Sequence, residues 1–227
     1  MGSITLKDVE VQFDGKTVLA IDDLSLTANT IAVIGANGSG KSTFARLLNG
    51  LAKPSTGQVL VNEIDVVTEP KRAVSQAGFI FSNPDVQIVM PTLIEDVEFS
   101  LRSVGLSKAE QNAQAMAALD AVGLKHLADA PAQSLSSGQK QLLAIAAITV
   151  RKPSLVIADE PTALLDLGNA KQIAQLLLSP VADQVVLVTH DMKLAGLCEV
   201  AVHFDQGRLV SVGAPKDVIA RYEKMFA

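Results

Sequence analysis

A glycine-rich loop stands between an apolar run and a predicted helix near the start of the chain. The residues Ile31–Ile34 lead into Gly35-Ala-Asn-Gly-Ser-Gly-Lys-Ser-Thr43, which has the G-x-x-x-x-G-K-[ST] spacing of a phosphate-binding loop. Glycines let the backbone turn tightly and aim consecutive N–H groups at one anion. The helix predicted at Lys41–Leu51 adds its unpaired N-terminal donors. The pattern predicts a nucleotide site; the alternative is an ordinary glycine-rich turn.

Each residue type in this loop suits one part of a nucleotide. Lys41 supplies a positive charge for the β- and γ-phosphates, and the Ser42 hydroxyl is a ligand for Mg²⁺. The phosphate-binding candidates are Gly35, Asn37, Gly38, Ser39, Gly40, Lys41, Ser42 and Thr43.

Two carboxylates follow a second apolar run, Leu155–Ala158. In a doubly wound sheet, ligands gather at the carboxyl ends of the strands, so Asp159 is expected beside the phosphate loop. There it can hold the Mg²⁺ that Ser42 also contacts. Glu160 can orient and deprotonate the attacking water. Without the loop in the same chain, the pair would be equally consistent with an ordinary strand exit.

Two further motifs occupy comparable positions. A third apolar run, Val185–Val188, ends in Thr189-His190-Asp191, which places His190 at the same sheet edge. A histidine at a strand end can also be structural or simply exposed. The segment Leu135-Ser-Ser-Gly-Gln139 precedes an apolar helix predicted at Gln139–Val150. Ser136 and Gly138 can cap that helix or bind an anion at its end.

The remaining pattern predicts the elements that position these residues. Alternating apolar residues over Ile4–Leu26, broken at Asp14-Gly-Lys16, indicate an antiparallel hairpin. The three uncharged runs are typical of strands buried on both faces of a parallel sheet. A helix is predicted at Lys108–Val122, ended by Gly123, within an inserted lobe at Ser82–Pro131. The fold class is therefore α/β, a phosphate-loop NTPase core with an N-terminal antiparallel β subdomain and an inserted α-helical subdomain.

Composition excludes several classes of protein. The chain has 227 residues, 48% of them apolar and 19% charged, which is typical of a globular domain. A net charge of −5 disfavours a broad nucleic-acid surface, so no nucleic-acid partner is expected. The longest uncharged apolar run, Leu142–Val150, is about half a membrane span. Cys198 is the single cysteine, so no internal disulfide can form, and a packed thiol is expected.

The motifs together resemble the ATP-binding-cassette (ABC) ATPases, in the order of that family. The order is phosphate loop, Leu-Ser-x-Gly-Gln motif, Asp-Glu pair and His190, with Ala163–Asp166 like the family's dimer-contact loop. The resemblance implies an Mg²⁺-dependent ATPase in which two subunits lie head to tail. Each ATP then lies between one phosphate loop and the partner's Ser136 and Gly138, and His190 positions the γ-phosphate. Phe13 matches the aromatic residue that stacks on adenine; the alternative is a core phenylalanine.

A narrower resemblance is to the energy-coupling-factor (ECF) importer branch, carried by Asn83-Pro-Asp-x-Gln87. The run Gln139–Ala146 with Leu165-Asp-Leu resembles the ATPase of the biotin system more than that of the cobalt system. The branch implies a second ATPase subunit, with a homodimer favoured, a transmembrane coupling protein and a substrate-binding membrane protein. The chain would then lie peripherally at the cytoplasmic face of the inner membrane. It would form one ABC ATPase domain, with a core of 1–81 and 151–227 and a helical subdomain of about 82–150.

One position departs from the family pattern, because Ser82 stands where a glutamine is usual. That glutamine reaches Mg²⁺ and the attacking water and senses the membrane partner, and serine is too short to do all of this. In this branch the position of Gln87 belongs to a helix that binds the membrane partner. Other classes remain as alternatives. A kinase or GTPase would leave the Leu-Ser-Ser-Gly-Gln motif unexplained, and a DNA-repair ATPase would need longer insertions. A soluble ABC-type ATPase and a nucleotide switch are the closest rivals.

Overall fold

The computed structural model describes residues 2–226. Its strands are β1 Ile4–Phe13, β2 Lys16–Leu26, β3 Thr30–Ile34, β4 Thr56–Val61, β5 Ile64–Asp65, β6 Ala77–Ile80, β7 Leu155–Asp159, β8 Gln184–Val188, β9 Val200–Asp205 and β10 Arg208–Gly213. Its α-helices are α1 Lys41–Leu47, α2 Pro70–Gln76, α3 Leu93–Leu101, α4 Lys108–Ala121, α5 Ser137–Thr149, α6 Leu167–Leu178, α7 Met192–Ala195 and α8 Pro215–Glu223.

The described chain divides into two compact units. The nucleotide unit comprises the chain up to Phe79, the segment Ser154–Glu160 and the chain from Asp183 onward. The helical unit comprises Ile80–Pro153 and Pro161–Ala182. The strands form a sheet in the order β5-β4-β1-β2-β10-β9-β3-β8-β7-β6. An α/β fold of this kind was predicted from the sequence, and it is confirmed.

The N-terminal hairpin has the predicted turn. Strands β1 and β2 pair antiparallel from Ile4 opposite Leu26 to Phe13 opposite Lys16. Asp14 and Gly15 form the turn with φ of 47° and 74°, the left-handed conformation that two-residue hairpin turns require. Strand β4 pairs antiparallel with the other edge of β1.

The three uncharged runs form the parallel centre of the sheet, as predicted. Strand β8 pairs parallel with β3 on one side and with β7 on the other. Every residue of β7 and β8 is buried, and so are the last four residues of β3. Because the strands run parallel, their carboxyl ends meet at one edge, where Gly35, Glu160 and Thr189 follow them.

Helix α1 is shorter than predicted. It ends at Leu47 instead of Leu51, so the predicted boundary is wrong by four residues. The chain turns at Gly50, where φ is 76° and the N–H donates to the Leu47 carbonyl at 3.1 Å. This left-handed glycine ends the helix by satisfying a carbonyl of its last turn.

The helices of the helical unit begin at reciprocal side-chain caps. Helices α3, α4 and α5 start after Thr92, Ser107 and Ser136, and each start forms a capping box with the third helical residue. Helix α4 stops one residue earlier than predicted, and Gly123 follows with φ of 76°. Most of α5 is buried, as its apolar sequence requires.

Cys198 is a packed thiol, as predicted. It is buried, and burial together with the charge of Glu199 raises the pKa of the thiol to about 12. A thiol that stays protonated is a poor nucleophile, so the structure gives Cys198 no catalytic character. The helices found within residues 2–226 include none with the length and apolarity to cross a membrane.

Candidate functional site

The phosphate loop encloses an open cavity in the nucleotide unit. Its glycines Gly35, Gly38 and Gly40 have φ of 145°, 77° and 101°. Residues with a Cβ atom rarely adopt such positive φ angles, so glycine is required for this loop conformation. The cavity has a volume of about 310 Å³, and Glu160 forms part of its wall. The loop residues that line it are Asn37, Gly38, Ser39, Gly40, Lys41, Ser42 and Thr43.

Gly35 is the position where the loop tolerates no side chain. A Cβ atom there would lie 2.1 Å from the Phe204 carbonyl oxygen, whereas a Cβ at Gly15 would meet nothing within 4 Å. Gly15→Ala should cost about 1–2 kcal/mol of unfolding free energy, for the left-handed backbone alone. Gly35→Ala should cost roughly 3 kcal/mol or more, because the backbone of β9 must also move. Urea unfolding followed by circular dichroism measures the free energy of unfolding of both variants. Equal losses of this free energy would contradict the close approach of Gly35 to the Phe204 carbonyl.

The Lys41 ammonium is held in place by backbone carbonyl groups of the phosphate loop. Its Nζ donates to the carbonyl oxygens of Gly35 at 2.9 Å and Ala36 at 2.8 Å. An ammonium has three donors, so one N–H is left for a phosphate oxygen. Burial lowers the pKa of Lys41, and the negative charges of Glu160 and Asp159 oppose that shift. The lysine is therefore a poorly hydrated cation, which favours binding an anion beside it.

Ser42 and Asp159 meet across 117 residues of sequence. The Ser42 hydroxyl donates to Asp159 Oδ1 at 3.1 Å, and Asp159 is buried at the end of β7. Hydroxyl and carboxylate oxygens are the ligands that Mg²⁺ prefers, and it is bound through one or two protein groups plus phosphate. The donor set therefore fits the predicted metal.

Glu160 and His190 form the second contact at this edge. His190 Nε2 lies 2.6 Å from Glu160 Oε1, and both side chains are partly exposed. The Glu160 backbone has φ of 52°, and its N–H donates to the Val188 carbonyl at 3.0 Å. The Glu160 side chain lines the cavity of the phosphate loop. A carboxylate oriented by a histidine can accept a proton from water.

The other predicted residues lie elsewhere in the fold. Ser136 and Gly138 belong to the helical unit, where Ser136 Oγ accepts from Gln139 N at 3.4 Å as the cap of α5. Gly138 is buried, and a Cβ there would lie 2.5 Å from the Asn169 side chain. Phe13 is 71% exposed beside the hairpin turn, so the alternative that it belongs to the core is wrong.

The structure adds two neighbours that the sequence did not indicate. Val18, on β2, lines the cavity. Gly207, in the turn after β9, donates its N–H to the Ser39 carbonyl at 3.0 Å, and this bond stabilises the phosphate loop. Val18 has no sequence signal beyond its place in a strand. The Gln206-Gly207 turn could have been recognised, but its partner is decided by the fold.

Ser82 and Gln87 have separate environments. Ser82 is half-buried. Gln87 follows a 3₁₀ turn at Pro84–Val86, and its Oε1 accepts from Phe81 N at 3.3 Å. Gln87 therefore stabilises its own segment of the helical unit.

Known proteins resemble the chain over nearly its whole length. The model of the ABC transporter family matches residues 21–163. The biotin transport ATP-binding protein BioM of Rhizobium etli is 39% identical over 225 residues, which cover 99% of this chain and 100% of that protein. The energy-coupling factor transporter ATP-binding protein EcfA1 of Symbiobacterium thermophilum is 38% identical over 217 residues, covering 92% and 76%.

A solved structure has the same fold. It is cbiO1 of Clostridium perfringens, part of the ABC transporter complex cbiONQ, with a TM-score of 0.87 and 30% sequence identity over 97% of this chain and 92% of that one. The chain belongs to the ABC transporter family and is one of its ATPases.

Proposed function

We propose that this chain is the ATP-hydrolysing subunit of an ECF-type importer that takes up a vitamin or a metal ion, with biotin favoured and cobalt next. The observation that carries the proposal is the cluster at the carboxyl edge of the sheet. There Lys41, Ser42 and Glu160 line one cavity of the nucleotide unit. Asp159 contacts Ser42, and His190 contacts Glu160. Phosphate binding, metal binding and activation of water need these groups together.

In this proposal, different residues bind the phosphates, the adenine, the metal ion and the attacking water. Loop amides and Lys41 bind the phosphates, and Phe13 stacks on the adenine. Ser42 and Asp159 would hold Mg²⁺, which neutralises charge on the phosphate oxygens when bound. Glu160 orients a water molecule and takes its proton, while His190 fixes the carboxylate and contacts the γ-phosphate.

A second copy of the chain completes each site. In this proposal the Ser136 hydroxyl and the Gly138 N–H of one subunit close the ATP held by the phosphate loop of the other. Two N-terminal helix donors are thereby added at the γ-phosphate, and water is excluded. A homodimer is favoured because the chain carries a full set of motifs. The whole chain then acts as one ABC ATPase domain, with its catalytic core and its helical subdomain.

The membrane partners follow from the similarity to the biotin and ECF proteins. We propose a transmembrane coupling protein and a substrate-binding membrane protein, with this chain bound peripherally at the cytoplasmic face of the inner membrane. The alternative function is a soluble ABC-type ATPase or a nucleotide switch. The apolar surface of the helical unit favours the importer, because Val86 and Val89 are exposed although nothing on a solvated loop requires apolar residues there.

Membrane assembly depends on this surface. Val89→Asp should abolish co-purification of the membrane proteins with a tagged chain, because a carboxylate cannot be buried in an apolar interface without a partner. ATP binding should stay unchanged. The matched control is Val104→Asp, since Val104 belongs to the same unit and is 50% exposed, against 62% for Val89.

The experiment uses tagged chains expressed in the native cells, extracted in mild detergent and analysed for bound membrane proteins. Uptake of labelled biotin and cobalt by the same cells identifies the cargo. If the wild-type chain retains no membrane protein, the importer proposal is wrong and the soluble alternative replaces it. If Val89→Asp assembles as well as Val104→Asp, the docking surface lies elsewhere.

A further inference from the structure

The chain contains two Asn-Gly pairs, Asn37-Gly38 in the phosphate loop and Asn49-Gly50 after α1. An asparagine side chain can react with the backbone nitrogen of the next residue, and glycine permits this most readily because it has no Cβ atom to hinder the approach. The reaction needs a side chain that can turn toward this nitrogen, and a nitrogen whose N–H holds no hydrogen bond. The reactivity of the two pairs therefore depends on their environments in the fold.

The Asn49-Gly50 pair is protected by the fold. The Asn49 side chain is buried, and its Oδ1 accepts from Leu51 N at 3.1 Å. The Gly50 N–H donates to the Leu47 carbonyl at 3.1 Å. Because both reacting groups are held in hydrogen bonds, this pair can react only after its part of the structure has opened.

The Asn37-Gly38 pair has the opposite environment. Both residues are exposed, at the centre of a turn in which the Ser39 N–H donates to the Ala36 carbonyl at 3.2 Å. Among the residues that the structure describes, none forms a hydrogen bond with the Asn37 side chain or with the Gly38 N–H. A Cβ atom at Gly38 would meet nothing within 4 Å, so the turn has room to rearrange. The pair in the phosphate loop is therefore the reactive one.

We infer that Asn37 is a site of deamidation, which bound ATP prevents and which abolishes ATP binding in a chain left without nucleotide. The Gly38 nitrogen loses its proton to hydroxide and forms a bond to Asn37 Cγ. The Cγ–Nδ2 bond breaks, and the leaving group takes a proton from water and departs as ammonia. Water then opens the cyclic imide at either carbonyl, which gives aspartate or isoaspartate at position 37. The reaction transfers no electrons and needs no reactant besides water and hydroxide.

Either product opposes phosphate binding. Aspartate adds a negative charge to a loop that binds anions through Lys41 and backbone N–H groups, and like charges in close contact repel. Isoaspartate adds a methylene group to the backbone and changes the direction of the N–H groups that follow.

The protection by ATP rests on the proposed function, in which the loop amides bind the phosphates. A Gly38 N–H that donates to a phosphate oxygen keeps its proton, and its nitrogen cannot attack the Asn37 side chain. Occupancy of the site by nucleotide then sets how long the phosphate loop stays intact.

The first test follows deamidation of the purified chain by peptide mass spectrometry, during incubation at mildly alkaline pH. Position 37 should react at least about tenfold faster than position 49, because the second pair must first open locally. The matched control is the chain unfolded in urea, where the two pairs should react at similar rates. Equal rates in the folded chain would overturn the inference. So would the same difference in urea, because the local sequence and not the fold would then cause it.

The second test adds a non-hydrolysable ATP analogue to the folded chain. At about 100 times its dissociation constant it should slow the reaction at position 37 by up to about 100-fold, since only the unoccupied fraction reacts. Adenosine lacks phosphates and should not slow it. An analogue that binds without slowing the reaction would overturn the protection by the loop amides. An analogue that does not bind the fresh chain would contradict the proposed function, whereas the faster reaction at position 37 would stand.

The third test measures binding of a fluorescent ATP analogue. A chain that has reacted at position 37 should bind at least about tenfold more weakly than the fresh chain, and Asn37→Asp should show this loss without incubation. Asn37→Gln must close a larger ring and reacts more slowly, so it should keep its own starting affinity through the same incubation. Circular dichroism verifies that both variants are folded. Unchanged affinity of the reacted chain, or an equal loss in Asn37→Gln, would show that deamidation at this position does not control ATP binding.

Discussion

Glu160→Gln lowers ATP turnover by about 10²–10⁴-fold and leaves ATP bound, because a general base typically contributes that factor. The amide has nearly the same shape as the carboxylate, so its oxygen can still accept from His190 Nε2 and the turn at Glu160 is kept. Only the capacity to take a proton is lost. Turnover is measured by phosphate release, and binding by titration with a fluorescent ATP analogue. The variant should also accumulate as a closed dimer with ATP in gel filtration.

The control is Glu199→Gln, the same change in the same unit. Glu199 accepts a hydrogen bond from Asn29 N and lines none of the phosphate-loop cavity, so its turnover should equal that of the wild type. Near-normal turnover in Glu160→Gln would remove this residue from its proposed role. Weaker ATP binding in Glu160→Gln would instead indicate that the substitution had disturbed the loop.

Mixing two inactive chains restores ATP hydrolysis. Lys41→Ala should lose phosphate binding, since it removes the ammonium held over the loop. Ser136→Arg should block the closing surface of the partner site. In a mixed dimer both defects fall in one composite site, and the other site is built from intact halves. With random exchange of subunits, turnover should recover to at most about a quarter of the wild-type value.

The control for this experiment is each mutant mixed with itself under the same conditions, which should stay inactive. Subunit exchange is verified with two different affinity tags. If tagged mixed dimers form and remain inactive, ATP is not shared between the phosphate loop of one chain and Ser136 of the other. Activity of Ser136→Arg by itself would also contradict the shared site.

The sequence predicted those parts of the fold that depend on local pattern. The Asp14-Gly15 turn is set by residues that tolerate positive φ, and the three uncharged runs can only be stable when they are buried on both faces. The C-terminal boundary of α1 was wrong, because Gly50 ends the helix by a backbone bond that periodicity does not reveal. Helix α6 was not predicted at all, although Asp166 caps it by accepting from the N–H groups of Gly168 and Asn169.

The candidate site shows the same division between local chemistry and long-range geometry. Motif spacing by itself predicted Lys41, Ser42, Asp159, Glu160 and His190 as site residues, because each follows a strand or loop of recognisable composition. Only the tertiary structure decided that the Ser42 hydroxyl meets Asp159, that His190 meets Glu160, and that Gly35 lies against the Phe204 carbonyl. These contacts join residues far apart in the chain, and their distances depend on how the parallel strands are ordered in the sheet. The sequence determined which groups are available for chemistry, and the strand order determined which of them touch.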